Sequence, residues 1–138
     1  MLKPAILATL IAGLLPSLAL AASWALGGMD AVAYRTQNAA VPGQATIATR
    51  WGGQEWHFSS EDHRALFEAN PRAYAPGFDG HCPVSLAEGQ LREGNPRYFA
   101  IVGQRLYFFR SNEARGQFAA DPRRWLMEAK AAFVKLAQ

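Results

Sequence analysis

The sequence contains a single cysteine, Cys82, among its 138 residues. A chain with one cysteine forms no internal disulfide, so its folded state must be stabilised by an apolar core. The lone thiol is then a small buried apolar group, a link to a second chain, or a reactive or metal-binding group. The cysteine count leaves these three roles open.

Signatures of common enzyme classes are also missing. The sequence has no carboxylate pair spaced for acid–base catalysis, no phosphate-binding glycine loop and no zinc-protease motif. Glu61 and Asp62 are better explained as acids in the first turn of a helix. A thiol nucleophile at Cys82 would need a base, and His81 is poorly placed because neighbours on a strand face opposite ways. We therefore expect a non-catalytic protein, with a thiol-dependent redox enzyme as the remaining catalytic alternative.

The first 21 residues have the pattern of a secretory signal peptide. Lys3 precedes an almost wholly apolar run over residues 4–20, and Ala19-Leu20-Ala21 matches a small-x-small cleavage site. Because the run approaches the roughly 20 residues that span a bilayer, an uncleaved membrane anchor is the alternative. We expect a signal peptide at 1–21 and a mature chain, 22–138, that is periplasmic or secreted and not stably associated with a membrane.

The excess of positive charge is small. The chain carries 14 Lys and Arg against 11 Asp and Glu, a formal net charge of +3. Many of the arginines lie in the second half of the sequence. They could form an anion-binding face or a solvated surface, and we interpret them as solvated surface. Together with the predicted export, this argues against nucleic acid as a partner.

A unit of about 50 residues occurs twice, and such repeats set the architecture of a chain. Gln54 aligns with Gln104 at an offset of 50 (104 − 54), and Pro71 aligns with Pro122 at an offset of 51 (122 − 71). The difference indicates one extra residue in the second copy, between its strand and its helix. The two units cover about 28–78 and 80–126.

Each unit has the pattern of a β-hairpin followed by a helix. Glycine turns separate apolar-alternating runs, serines precede the helices, and an Asx-Pro pair ends each helix. Since a unit this short buries too little surface alone, we predict a single α+β domain. In it, two β-hairpin-plus-helix repeats share one core, and a C-terminal helix follows. The predicted strands are 45–51, 54–58, 100–102 and 106–109, and the C-terminal helix begins at about Arg123.

Four sequence motifs occur in order: Met29-Asp30-Ala31-Val32-Ala33-Tyr34, Trp56-His57-Phe58-Ser59-Ser60, Phe67-Glu68-Ala69-Asn70-Pro71 and Gly80-His81-Cys82-Pro83-Val84. In these motifs the chain resembles the YHS domain family, with two copies that cover the mature sequence. The resemblance implies metal handling, with copper as the expected metal. The cysteines of the metal-binding members would fall at Ala33, Ser59, Ser85 and Phe109, so a closed tetrahedral thiolate site is not expected.

His81 and Cys82 are the metal-ligand candidates that remain. A thiolate beside an imidazole suits Cu(I) or Zn²⁺, and Pro83 constrains the loop. If the two units meet at a pseudo-twofold axis, Met29 becomes a candidate third ligand, with Asp30 beside it. The alternative is that Cys82 is a packed core thiol and His81 a surface side chain.

The other two histidines are interpreted as structural. His57 lies on a strand, with Tyr107 as its counterpart in the second copy, and is expected to pack while making a hydrogen bond. His63 lies on a helix and is expected to be partly exposed.

The sequence thus predicts an exported, non-catalytic metal-binding or metal-handling protein, with copper bound by Cys82, His81 and Met29. Its partner would be a metal ion or a metal-handling protein. The alternative is a YHS-fold structural or protein-interaction module that has lost its metal site.

Overall fold

A computed structural model describes residues 2–5, 12–13 and 23–138 of the chain. The predicted signal peptide, residues 1–21, therefore lies largely outside the described residues. Among the residues that are described, no helix is both long enough and apolar enough to span a bilayer.

The protein has a mixed α+β architecture, as predicted. Within residues 23–138, two antiparallel hairpins each form a separate two-stranded sheet, and six α-helices accompany them. The strands are β1 (Gln44–Trp51), β2 (Gln54–Phe58), β3 (Asn95–Val102) and β4 (Arg105–Phe109). The helices are α1 (Ala33–Gln37), α2 (Glu61–Ala69), α3 (Pro71–Tyr74), α4 (Pro83–Ala87), α5 (Asn112–Ala120) and α6 (Pro122–Leu136).

The elements recur in the same order in two halves. A short 3-10 segment is followed by a short helix, a hairpin, a nine-residue helix and a further helix. The 3-10 segments are Ala25–Gly28 and Gly77–Gly80. We call residues 25–74 the first unit and residues 77–136 the second unit.

The hairpin registers correct the alignment drawn from the sequence. Trp51 pairs with Gln54 across the first turn, and Val102 pairs with Arg105 across the second. Gln54 therefore corresponds to Arg105, an offset of 51 (105 − 54), and the predicted match with Gln104 is wrong by one residue. Gln104 instead takes the place of a turn glycine and adopts a left-handed φ of 63°.

The extra residue lies in the first unit, not in the second as predicted. The amide of Asp30 donates to the carbonyl of Val41, whereas the amide of Cys82 donates to that of Arg92. The offset between corresponding residues of the two units therefore falls from 52 (82 − 30) to 51 (92 − 41) along the loop that leads to the hairpin. This loop is one residue longer in the first unit.

Local signals set the helix boundaries. Ser60 and Ser111 accept hydrogen bonds from the backbone amides three residues later, as helix N-caps do. The predicted stops at Pro71 and Pro122 are junctions, because each proline begins a further helix at once. Proline suits this first position, where its missing N–H would have no helical partner.

The core consists of three packing clusters of buried side chains. The first unit packs around Phe58 and Phe67, and the second around Phe109 and Phe118. A third cluster joins them and consists of Tyr34, Leu106 and Phe108. Tyr34, on α1 of the first unit, donates from its hydroxyl to the carbonyl of Pro96 in the second.

The two units differ most in their last helix. α3 has four residues, whereas α6 has 15. α6 packs against α4 and places Phe133 5.5 Å from Phe78, between ring centroids. The first unit has no helix of this length on the corresponding surface, which leaves that surface available to line a cleft.

Candidate functional site

Cys82 is a packed core thiol. Its side chain is fully buried in the second cluster, with Val84, Phe109, Ala114 and Phe118. The residue stands at the N-terminus of α4, where its carbonyl accepts a hydrogen bond from the amide of Leu86. The thiol is therefore enclosed by apolar side chains and makes no contact with a predicted co-ligand in its cluster.

The other two predicted metal ligands, His81 and Met29, have contacts of their own. Nδ1 of His81 donates to the carbonyl of Phe78 at 2.8 Å, which leaves Nε2 as an acceptor. Met29 packs against the third cluster, and Cys82 belongs to the second. The side chains of Cys82 and Met29 therefore belong to separate packing clusters. In the part of the chain that the structure describes, no three His, Cys, Asp or Glu residues are grouped so as to hold a metal ion.

The densest polar cluster consists of Asp30, Ser59 and His63, which we call the Asp30 cluster. Oδ2 of the buried Asp30 accepts hydrogen bonds from the Ser59 amide (2.9 Å), the Ser59 hydroxyl (2.6 Å) and Nδ1 of His63 (2.7 Å). Its Oδ1 accepts from the amides of Val32 and Ala33 at the start of α1. The carboxylate thus ties the N-termini of α1 and α2 together.

Hydrogen bonding decides the ionisation of Asp30. Burial acts to raise the pKa of its carboxyl group, but the hydrogen bonds from Ser59 and His63 outweigh this effect and hold the pKa below its ordinary value. The charged form is therefore the one built into the fold.

The Asp30 cluster contains the residue types of a hydrolase triad without its geometry. In a triad the serine hydroxyl donates to the imidazole nitrogen that faces away from the carboxylate. Here the Ser59 hydroxyl donates to Asp30, and Nε2 of His63 lies 3.5 Å from the hydroxyl oxygen of Thr36. We therefore interpret the cluster as structural.

The expectation that His63 is partly exposed missed this role. The His63 side chain is only 14% exposed and is held by Asp30, which lies 33 positions away in the sequence. In the second unit the positions of Asp30 and His63 are occupied by Cys82 and Ala114, which are both in the second apolar cluster. The sequence did contain a signal for this contact. One copy has an aspartate and a histidine at two positions where the other copy has two residues of apolar type, as expected if the two positions touch.

His57 is buried and makes a hydrogen bond, as expected for a packing residue. Its Nε2 lies 2.9 Å from a carboxylate oxygen of Glu55, and its ring contacts that of Trp24 in a tilted arrangement, with 4.5 Å between ring centroids. Its structural counterpart is Phe108, at the offset of 51, so the predicted counterpart Tyr107 is wrong by one residue. The contact with Trp24 supports one wall of a cleft.

A cleft of about 600 Å³ lies between the two units. Three of the four tryptophans line it, namely Trp24, Trp51 and Trp56, and Phe108 of the second unit also contributes. The indole N–H of Trp56 donates to the carbonyl of Trp51, which fixes that ring. Trp24 is 57% exposed and presents its ring to solvent. A concave, aromatic surface of this volume is typical of small-molecule sites.

A second, more open cleft of about 450 Å³ occupies the corresponding place in the second unit. Leu26 and Trp56 line the first cleft, and their counterparts Phe78 and Tyr107 line the second. In the second unit α6 closes one side, since its Leu126 and Phe133 line the second cleft. In the first unit α3 ends after one turn, and the larger cleft opens there.

Comparisons of the chain with models of protein families, with curated proteins and with solved structures found no match.

Proposed function

We propose that the protein is a non-catalytic binding protein that takes a small, largely apolar ligand in the cleft between its two units. The observation that carries this proposal is the set of three tryptophans around a space of about 600 Å³. Aromatic side chains contribute large contact areas at low cost in conformational entropy, and pockets of this kind bury most of a drug-sized ligand. In this proposal the Asp30 cluster has a structural role, because its carboxylate, hydroxyl and imidazole bind one another.

The large exposed fraction of Trp24 supports the same proposal. A tryptophan that is 57% exposed contributes little to the core, yet the buried ring of His57 packs against this indole and restricts its motion. An exposed aromatic surface that is held rigid is the usual starting point for ligand contact, because few degrees of freedom are lost on binding.

Binding of N-phenyl-1-naphthylamine, a neutral aromatic dye, tests the proposal. We expect a saturable rise in dye fluorescence, with affinity about tenfold lower for Trp24→Ala because a stacking surface is lost. Met127→Ala is the matched control, since Met127 is 68% exposed on α6 and does not line the cleft. Unchanged affinity in Trp24→Ala, or no binding to the wild type, would contradict the proposal.

Metal handling is the second candidate function, and one observation favours it. The hydrogen bond from Nδ1 of His81 to the Phe78 carbonyl fixes the tautomer in which Nε2 is free to bind a metal. Copper coordination by His81 together with Cys82 and Met29 remains a prediction. It requires the buried thiol of Cys82 to leave its apolar cluster.

Titration with Cu(I) in competition with a chromophoric chelator tests this second candidate. A site that uses both residues predicts a loss of affinity of about 100-fold or more in Cys82→Ser and in His81→Gln, because each variant removes a ligand. His57→Gln is the control, since His57 is occupied by Glu55. Equal Cu(I) affinity in the wild type and Cys82→Ser would reject the copper site.

A further inference from the structure

The cleft between the units carries charge of the sign opposite to that of the whole chain. The formal net charge of the chain is +3, yet Asp79 and Glu93 line the cleft. Among its described lining residues there is no Lys, Arg or His. We infer that the cleft selects a small organic cation of the quaternary ammonium type. This inference rests on the proposed function and specifies its ligand.

The two carboxylates are available to a ligand. Neither Asp79 nor Glu93 takes part in an ion pair or a side-chain hydrogen bond within residues 23–138. Asp79 also borders the second cleft, where Arg105 and Lys130 lie beyond ion-pair distance. Because both carboxylates are solvent-exposed, they attract a cation at moderate strength and in a salt-dependent way.

The aromatic walls decide which cations fit. The negative face of an indole ring attracts a cation with diffuse charge and an apolar surface, and tryptophan is the strongest of the aromatic residues in this respect. A small metal ion keeps its water shell and prefers oxygen ligands arranged around it. Trp24 and Trp51 line the same cleft as the two carboxylates, and this lining matches a quaternary ammonium group, whose methyl groups would contact the indole rings while its charge faces the carboxylates.

Choline and 3,3-dimethylbutan-1-ol form a suitable pair of probes, because they have the same shape and differ in one central atom and its charge. The indole N–H resonances of the tryptophans, assigned from single Trp→Phe variants, report binding by NMR. We expect choline to shift the resonances of Trp24 and Trp51 at a concentration roughly tenfold lower than the neutral alcohol. The resonance of Trp125, which lies in the second unit, should stay in place and serves as an internal reference.

Removal of the two charges should abolish this preference. In Asp79→Asn/Glu93→Gln we expect choline and the alcohol to bind within about twofold of each other. Asparagine tolerates the left-handed φ of 52° at position 79, so the turn is preserved. Glu93→Gln alone should lower the preference in part and serves if the double variant does not fold. Glu113→Gln, an exposed acid on α5, is the control and should bind like the wild type.

The outcomes separate this inference from the proposed function. Equal affinity of the wild-type protein for choline and the alcohol, with dye binding intact, would overturn the cation selectivity and leave the binding function in place. A choline preference that persists in the double variant would overturn the role of the two carboxylates. Absence of dye, choline and alcohol binding would overturn both proposals.

Discussion

The substitution Asp30→Asn is expected to lower the free energy of unfolding by about 3–5 kcal/mol at neutral pH. The carboxylate accepts five hydrogen bonds, from Val32, Ala33, Ser59 and His63. An asparagine of the same shape presents an NH₂ group to one set of these donors, so buried N–H or O–H groups lose their acceptor. Urea denaturation followed by circular dichroism measures the difference.

The effect of Asp30→Asn should also depend on pH. Because the native pKa of Asp30 lies below its unfolded value of 3.8, its stabilising contribution is fully present above that pH and disappears as the pH falls through the native pKa. The stabilities of the wild type and the variant should therefore converge below pH 3.8. Asp62→Asn is the control, since Asp62 is exposed on the first turn of α2. A similar loss in both variants would contradict the assigned role of Asp30.

The substitution Gly43→Ala is expected to destabilise the protein by about 3 kcal/mol, at the upper end of overpacking effects. A Cβ at Gly43 would lie 2.5 Å from the carbonyl oxygen of His57, and the other near atoms are the carbonyl carbon and the Cβ of the same residue, which side-chain rotation cannot move. The glycine amide also donates to the carbonyl of Gly28, which holds the loop against the strand. Thermal denaturation should show the loss directly.

Gly116→Ala provides the opposite result for comparison. Gly116 lies within α5, and a Cβ there would meet no atom within 4 Å. Replacing a helix glycine with alanine usually stabilises by about 0.5–1 kcal/mol. A rise in melting temperature for Gly116→Ala and a fall for Gly43→Ala would establish that close approach, rather than backbone freedom, requires glycine at position 43. Equal changes in the two variants would contradict this explanation.

The local part of the structure was predictable because its signals are local. The serine caps at Ser60 and Ser111 and the turn glycines act within three or four residues. Three of the strands and the C-terminal helix were predicted to within one residue at each end where bounds were given, whereas β3 begins at Asn95, five residues before its predicted start at residue 100. The alignment of the units failed by one residue because it matched Gln54 with Gln104. Backbone geometry gives Gln104 the role of a turn glycine, which residue identity does not reveal.

The non-local part of the structure was not predictable from pattern. Asp30 meets Ser59 and His63 from 29 and 33 residues away, and no periodicity indicates such a contact. The cleft depends on where α3 ends and on how the second unit faces the first, which are properties of tertiary packing. Cys82 was predicted as a ligand because of its chemistry, whereas its surroundings place it in a core cluster.

Tyr34 connects the two halves physically, and this has a consequence for how the chain unfolds. Its ring is buried between Phe99 and Phe108 of the other half, and its hydroxyl donates to Pro96. Unfolding of either half would expose the phenol ring of Tyr34 to solvent, and the neighbouring aromatic side chains would lose their packing contacts with it. We therefore expect the chain to unfold in a single cooperative transition, so that neither half persists as an independently folded fragment.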